Sequence, residues 1–285
     1  MNLEAFEPDC IEEVLLGHGA QSVTLTDAGD DPVLEPAPGA TPLWRDTRIT
    51  ALFAADADFE RLRADLCRAL SIDRLPDNHV ESLHDRIWER EWLKDFRPMR
   101  FGQRLWVLPE GGEAAPDDAI AVHLDPGLAF GTGTHATTAL CLEWLDGIDV
   151  EGKTVLDVGC GSGILGIAAL ALGAKSVMAV DIDPQALTAT RQNAVSNGVA
   201  ERLETAAELD PDSKSFDLVV ANILARILIE MADTICACIR PHANLALSGI
   251  LAGQRPDVMA AYRPRIEFAA PRYRDDWALL SGTKT

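Results

Sequence analysis

Val155-Leu156-Asp157-Val158-Gly159-Cys160-Gly161-Ser162-Gly163-Ile164-Leu165 is the stretch that decides the fold. Its opening reads as a short buried strand, its glycines as a turn, and its close as the start of a helix. A second buried strand follows and ends on a carboxylate, in Ala179-Val180-Asp181-Ile182-Asp183-Pro184. Glycines let the backbone approach a ligand closely, and a helix start offers unpaired N–H groups. Asp181 is then placed to accept hydrogen bonds from a ribose diol. The pattern is that of a nucleotide-type cofactor site.

Two cofactors fit these residues. Gly161-x-Gly163-x-x-Gly166 formally matches the dinucleotide fingerprint, with an acid at a suitable distance. The overlapping Asp157-x-Gly159-x-Gly161-x-Gly163 resembles motif I of S-adenosylmethionine-dependent methyltransferases. A pyrophosphate prefers a helix N-terminus without a carboxylate beside it. S-adenosylmethionine carries a sulfonium and an ammonium instead, so acids near the loop are tolerated. The loop holds no Lys or Arg, and the balance favours the methyl donor.

The chain has 285 residues, enough for one large or two modest domains. No apolar run approaches the roughly 20 residues that span a bilayer. The opening Met1-Asn2-Leu3-Glu4-Ala5-Phe6-Glu7 lacks the basic start and apolar stretch of a secretory signal. Cysteines 10, 67, 141, 160, 236 and 238 stand apart from any paired metal-ligand spacing, which predicts reduced thiols, a cytoplasmic protein and no metal. Cys236-x-Cys238 reads as buried packing before it reads as a redox or metal pair. The net charge of −20 disfavours a phosphate-backbone binder and suits a basic partner. Residues 1–60 concentrate the acid, with 13 Asp and Glu against Arg45 and Arg48.

The elements divide the chain into three parts. Residues 1–84 predict a small α+β domain: a helix ending near 19, strands at 22–26 and 48–53, a helix over 58–70 and a last strand over 79–83. Residues 85–100 predict a connector, with Trp88, Trp92 and Phe96 on one side of a helix at 85–96. Residues 101–285 predict the catalytic domain. Strands at 104–109 and 119–124 precede an alternation of helix and strand, which argues for a doubly wound, mostly parallel sheet. One helix is expected over 223–239, and a pair of strands near 264–270 and 275–282 forms an antiparallel edge hairpin.

Two further motifs narrow the reading. Leu124-Asp125-Pro126-Gly127-Leu128-Ala129-Phe130-Gly131-Thr132-Gly133-Thr134-His135 is a polar loop leading into a helix whose first turn carries Thr137 and Thr138. Hydroxyls there can bond backbone or ligand. Asn222, in Ala221-Asn222-Ile223-Leu224-Ala225, stands at the carboxyl end of the fourth main strand. It either caps a helix or faces the reacting centre. His135 is either a general base or a loop residue bonded near the helix start.

With the connector Trp92-Leu93-Lys94-Asp95-Phe96-Arg97-Pro98-Met99-Arg100-Phe101-Gly102, these motifs occur together and in order. The chain resembles the bacterial ribosomal protein L11 methyltransferases, most closely from residue 85 onward. The resemblance implies a class I S-adenosylmethionine-dependent methyltransferase fold behind a ferredoxin-like N-terminal domain for substrate recognition. It implies that Thr138, Gly159, Asp181 and Asn222 contact S-adenosylmethionine, with Gly161 in the same turn. The family's loop commonly has Pro after the histidine; Ala136 stands here and removes no functional group. The implied reaction methylates the N-terminal α-amine and lysine ε-amines of ribosomal protein L11, up to trimethylation; the enzyme is expected to be a monomer that binds neither nucleic acid nor membrane. Asn222 would orient the amine. Alternatives are a related protein-lysine methyltransferase with another basic substrate, and an NAD-dependent oxidoreductase. A nucleic-acid or glutamine methyltransferase would carry Asn-Pro-Pro-Tyr where Asn222-Ile223-Leu224-Ala225 stands.

Overall fold

A computed structural model describes residues 6–29, 43–82, 97–109, 116, 119–124, 135–210 and 215–285. The chain divides into two units, Met1–Asp85 and Arg86–Thr285. The expected connector helix at 85–96 and the glycine–threonine loop at 125–134 lie outside the described residues.

In the first unit, helix α1 (Pro8–Gly17) opens on proline, whose missing N–H is harmless there, and buries Ile11 and Leu15. Strands β1 (Ser22–Asp27) and β2 (Thr47–Leu52) pair antiparallel, Ser22 opposite Leu52. Helix α2 (Phe59–Ala69) is capped by the Asp58 carboxylate, which accepts from the Arg61 amide. Leu62 and Leu66 meet Ile11, Leu15, Ile49 and Leu75 in a small core. The four elements give the central α–β–β–α of a ferredoxin-like order. The strand expected at 79–83 is not formed over residues 79–82. Its one large apolar residue there, Val80, is 52% exposed, so no buried face holds it to a sheet.

The second unit begins with β3 (Met99–Phe101), β4 (Leu105–Pro109) and β5 (Ile120–Leu124), a separate sheet in that order. Helix α3 (Ala136–Asp146) leads into β6 (Thr154–Val158), α4 (Ile164–Ala171), β7 (Ser176–Val180), α5 (Pro184–Ser196) and β8 (Leu203–Ala206). Then follow β9 (Phe216–Asn222), α6 (Ala225–Glu230), α7 (Ala232–Ala237), β10 (Ile239–Leu251) and α8 (Arg255–Tyr262). Strands β11 (Ile266–Phe268), β12 (Arg272–Arg274) and β13 (Trp277–Lys284) close the chain.

The main sheet runs β8-β7-β6-β9-β10-β13-β11, with β12 also paired to β13. Strands β6 to β10 are parallel and β13 is antiparallel to its neighbours, as the alternation predicted. Successive residues of β9 enter different cores: Leu218 and Val220 lie under α3, α4 and α5, Val219 and Ala221 under α6, α7 and α8. All four are fully buried, the signature of a strand covered on both faces. Strand order reverses between β6 and β9, which opens a crevice at their carboxyl ends.

The single helix expected over 223–239 is two. It breaks at Met231, between α6 and α7. The Tyr262 hydroxyl donates to the Leu228 carbonyl at 2.9 Å, the acceptor that a continuous helix would give to residue 232. Among the described residues, no helix is long and apolar enough to cross a membrane.

Candidate active site

The turn after β6 is held by the end of β7 and by α5. The Gly159 and Cys160 amides donate to the Val180 carbonyl at 2.8 and 3.1 Å, tying the turn to the end of β7. Gly159, Gly161 and Gly163 have φ of 71°, 55° and 80°, a region that side chains disfavour. From α5, the Thr190 hydroxyl donates to the Gly161 carbonyl at 3.0 Å and the Asn193 amide to the Ser162 carbonyl at 2.8 Å. A Cβ on Gly163 would meet Thr190 at 2.8 Å, so helix and turn touch.

Asp181 sits where β7 leaves the sheet. One carboxylate oxygen accepts from the Gly161 amide at 2.9 Å, the other from the Asp183 amide at 3.0 Å. Each oxygen keeps a lone pair for a further donor. Ile182 beside it is 90% exposed.

Asp157 is buried in the strand below. It accepts from the Gly166 amide at 2.9 Å through one oxygen, and its other oxygen has no partner. Burial pushes its pKa up to about 7, the Gly166 bond opposes the rise, and the Asp181 charge adds to it. The same burial raises the Cys160 thiol to about 12, so it is no nucleophile. Among the described residues, no cluster of His, Cys, Asp and Glu could hold a metal ion.

Across the crevice, the Asn222 side-chain amide donates to the Thr138 hydroxyl at 3.3 Å. Asn222 is not a helix cap: α6 is preceded by Leu224 and has no side-chain cap. His135 does cap α3. Its Nδ1 lies 2.8 Å from the Thr137 hydroxyl and accepts from the Thr137 amide, and its ring meets Trp277 edge-on at 5.0 Å. Of its two readings, the helix-start residue is the one formed. The structure therefore gathers Gly159, Gly161 and Asp181 in one turn system and Thr138 with Asn222 in a hydrogen-bonded pair. Ile223 joins the two, since a Cβ on Gly159 would collide with Ile223 Cγ2.

These residues fit S-adenosylmethionine. The glycine turn gives a close backbone approach, Asp181 gives acceptors, and the unpartnered buried oxygen of Asp157 suits a cation better than a phosphate. The family model for ribosomal protein L11 methyltransferases matches residues 2–285. The chain belongs to that family. A ribosomal protein L11 methyltransferase from Methylococcus capsulatus is 50% identical over 96% of this chain and 94% of its own. One from Azotobacter vinelandii is 49% identical over 98% and 97%. The crystal structure of a ribosomal protein L11 methylase from Lactobacillus delbrueckii subsp. bulgaricus matches with a TM-score of 0.61 at 32% identity, over 67% of this chain and 98% of that one. The α/β unit thus has the class I S-adenosylmethionine-dependent methyltransferase fold, and the dinucleotide reading of Gly161-x-Gly163-x-x-Gly166 falls away.

Around this site, sequence reading missed Thr190 and Asn193, which hold the glycine turn, Ile182, exposed beside Asp181, and Gly249 of β10, which packs on the backbone of Ile223. Thr190 and Asn193 had a signal: two polar residues three apart on a face that also carries the apolar Leu187, Ala186 and Ala194. Ile182 had one too, as an apolar residue between two acids at a strand end. Gly249 had none nearby in sequence.

Proposed function

We propose that this chain transfers methyl groups from S-adenosylmethionine to the N-terminal α-amine and lysine ε-amines of ribosomal protein L11, up to trimethylation. The observation that carries the reading is the Asn222–Thr138 pair at the carboxyl end of β9, joined to the Gly159 turn through Ile223. S-adenosylmethionine supplies, when bound, an electrophilic methyl on a sulfonium. Asp181 would accept from its ribose, Gly159 and Gly161 would leave it room, and Thr138 and Asn222 would complete the site.

The protein's part in the transfer is to present a neutral amine. A lysine with pKa near 10.4 is neutral at pH 7 only at a cost between roughly 4 and 5 kcal/mol, against about 1 for an α-amine. Desolvation in the crevice lowers the amine's pKa. Asn222 cannot take the proton; with its amide nitrogen given to Thr138, its carbonyl accepts one amine N–H and aims the lone pair. Water removes the proton.

The acid of residues 1–84 supports docking of a basic protein, with 85–100 as connector and 101–285 as catalytic part. The unpaired cysteines support action in the cytoplasm, the charge supports the absence of direct nucleic-acid binding, and the chain is proposed to act as a monomer.

Intact-mass measurement of unmodified recombinant L11, incubated with enzyme and S-adenosylmethionine, tests the reaction. Steps of one methyl mass are expected. Asn222→Ala lowers kcat by about a hundredfold and leaves cofactor Kd within about threefold. An undiminished kcat would remove Asn222 from the mechanism.

A further inference from the structure

Asn222 closes β9 and opens a turn with little to hold it. Its side chain makes one hydrogen bond, and the helix that follows has no side-chain cap. What fixes the turn lies in β10. There Leu247 pairs with Leu280 and Ile250 with Ala278, so Ser248 and Gly249 together face the single residue Leu279, a β-bulge. Gly249 has φ of 79°. A Cβ there would lie 2.8 Å from the carbonyl carbon of Ile223, 3.0 Å from its nitrogen, and in collision with its oxygen. The bulge therefore seats β10 directly on the backbone of Ile223, the residue after Asn222. Ser248 is the register partner of Asn222, and its buried hydroxyl donates to the Ala278 carbonyl at 3.2 Å.

The side chain of the same Ile223 is gripped from the other direction, where Gly159 leaves room for Cγ2. One residue is thus held by its backbone against Gly249 and by its side chain against the cofactor turn. Glycine inside a strand between two neighbours weakens that strand, and bulges recur beside active sites. We infer that Gly249 and Ile223 are positioning residues for methyl transfer, setting where Asn222 stands relative to the cofactor turn. This rests on the role given to Asn222 above.

An alanine at Gly249 must push the Ile223 peptide away, and a displacement approaching 1 Å lowers rates by about a hundredfold. The experiment measures kcat on L11 and cofactor Kd for Gly249→Ala, Asn222→Ala and the double variant. Gly249→Ala is expected to lower kcat by about a hundredfold with Kd within about threefold, and to lower it no more than about threefold further in the Asn222→Ala background. Gly198→Ala is the control: φ is 65° there, with open space around a Cβ, so it carries the backbone strain without the collision and keeps kcat.

Should Gly249→Ala fail to fold, Ile223→Ala loosens the grip without a collision, and its expected loss of about tenfold in kcat must likewise vanish in the Asn222→Ala background. A folded Gly249→Ala enzyme with unchanged kcat, or losses that multiply with Asn222→Ala, overturns the inference while the role of Asn222 stands. Full turnover in Asn222→Ala alone overturns that role instead, and the inference with it.

Discussion

Strands β7 and β9 leave the same sheet edge with the same step, a short polar residue followed by isoleucine: Asp181-Ile182 and Asn222-Ile223. The two isoleucines go opposite ways. Ile182 is 90% exposed, whereas Ile223 packs against the cofactor turn and the second core. The reason lies in how each turn is held. After β7, Asp181 binds the Gly161 and Asp183 amides and Asp183 caps α5, so hydrogen bonds suffice and the isoleucine is released. After β9 one side-chain bond remains, and packing of Ile223 does the holding. A turn built from hydrogen bonds leaves its apolar side chain exposed; a turn built from packing leaves its polar side chain with a single bond.

The largest test of this contrast is Asp181→Ala. It removes charged acceptors worth about 1.5–3 kcal/mol each, so cofactor Kd should rise two to three orders of magnitude, read by calorimetry. An affinity within about tenfold of the parent would break the comparison at its stronger turn. Gly159→Ala should strike both turns, because its Cβ collides with Ile223 Cγ2. Kd should rise and kcat should fall, each by at least about tenfold, with about 2–3 kcal/mol of stability lost to overpacking and left-handed strain. Adding Ile223→Ala should restore part of that stability in a denaturation curve, and no restoration would place the clash elsewhere.

Asp157 sharpens the contrast through pH. Its folded pKa is raised to about 7, against an ordinary value near 3.9 in the unfolded chain. Between those values the folded protein holds a proton that the unfolded chain has lost. Its contribution to the stability of the ligand-free enzyme therefore declines as pH rises from about 4 to about 7, by at most about 1.4 kcal/mol per unit. Asp157→Asn lacks this slope, so its stability relative to the parent should climb over that window in urea titrations. A cation placed at the unpartnered oxygen favours the ionised form, so cofactor affinity should rise with pH through 7 in the parent and stay flat in the variant.

How much of this could be read from sequence depends on how local each cause is. The strand, glycine turn and helix around Asp157 to Leu165 are legible because a continuous apolar run, its breakers and its helix start adjoin. Asp181 and Asn222 are legible as polar residues closing buried strands. Gly249 is not, because its requirement comes from the peptide of Ile223 on another strand. The break at Met231 depends on the Tyr262 hydroxyl, which reaches Leu228 from α8. The strand expected at 79–83 fails for a related reason: alternation proposes a strand, but only a partner face makes one.

The smallest expected effect bears most directly on the two isoleucines. Ile182→Ala removes apolar area that is already in water, so the ligand-free protein should unfold at the same temperature as the parent. If that side chain instead meets the cofactor beside Asp181, its loss should weaken cofactor binding by about fivefold to tenfold, the equivalent of roughly 1–1.4 kcal/mol of apolar burial. Ile223→Ala should do the reverse, lowering the ligand-free melting temperature and leaving Kd nearly alone. Melting curves and calorimetry on the two variants form a square of four measurements. Should Ile182→Ala destabilise the free protein while Ile223→Ala spares it, exposure would have misled, and the turn after β7 would be the one held by packing.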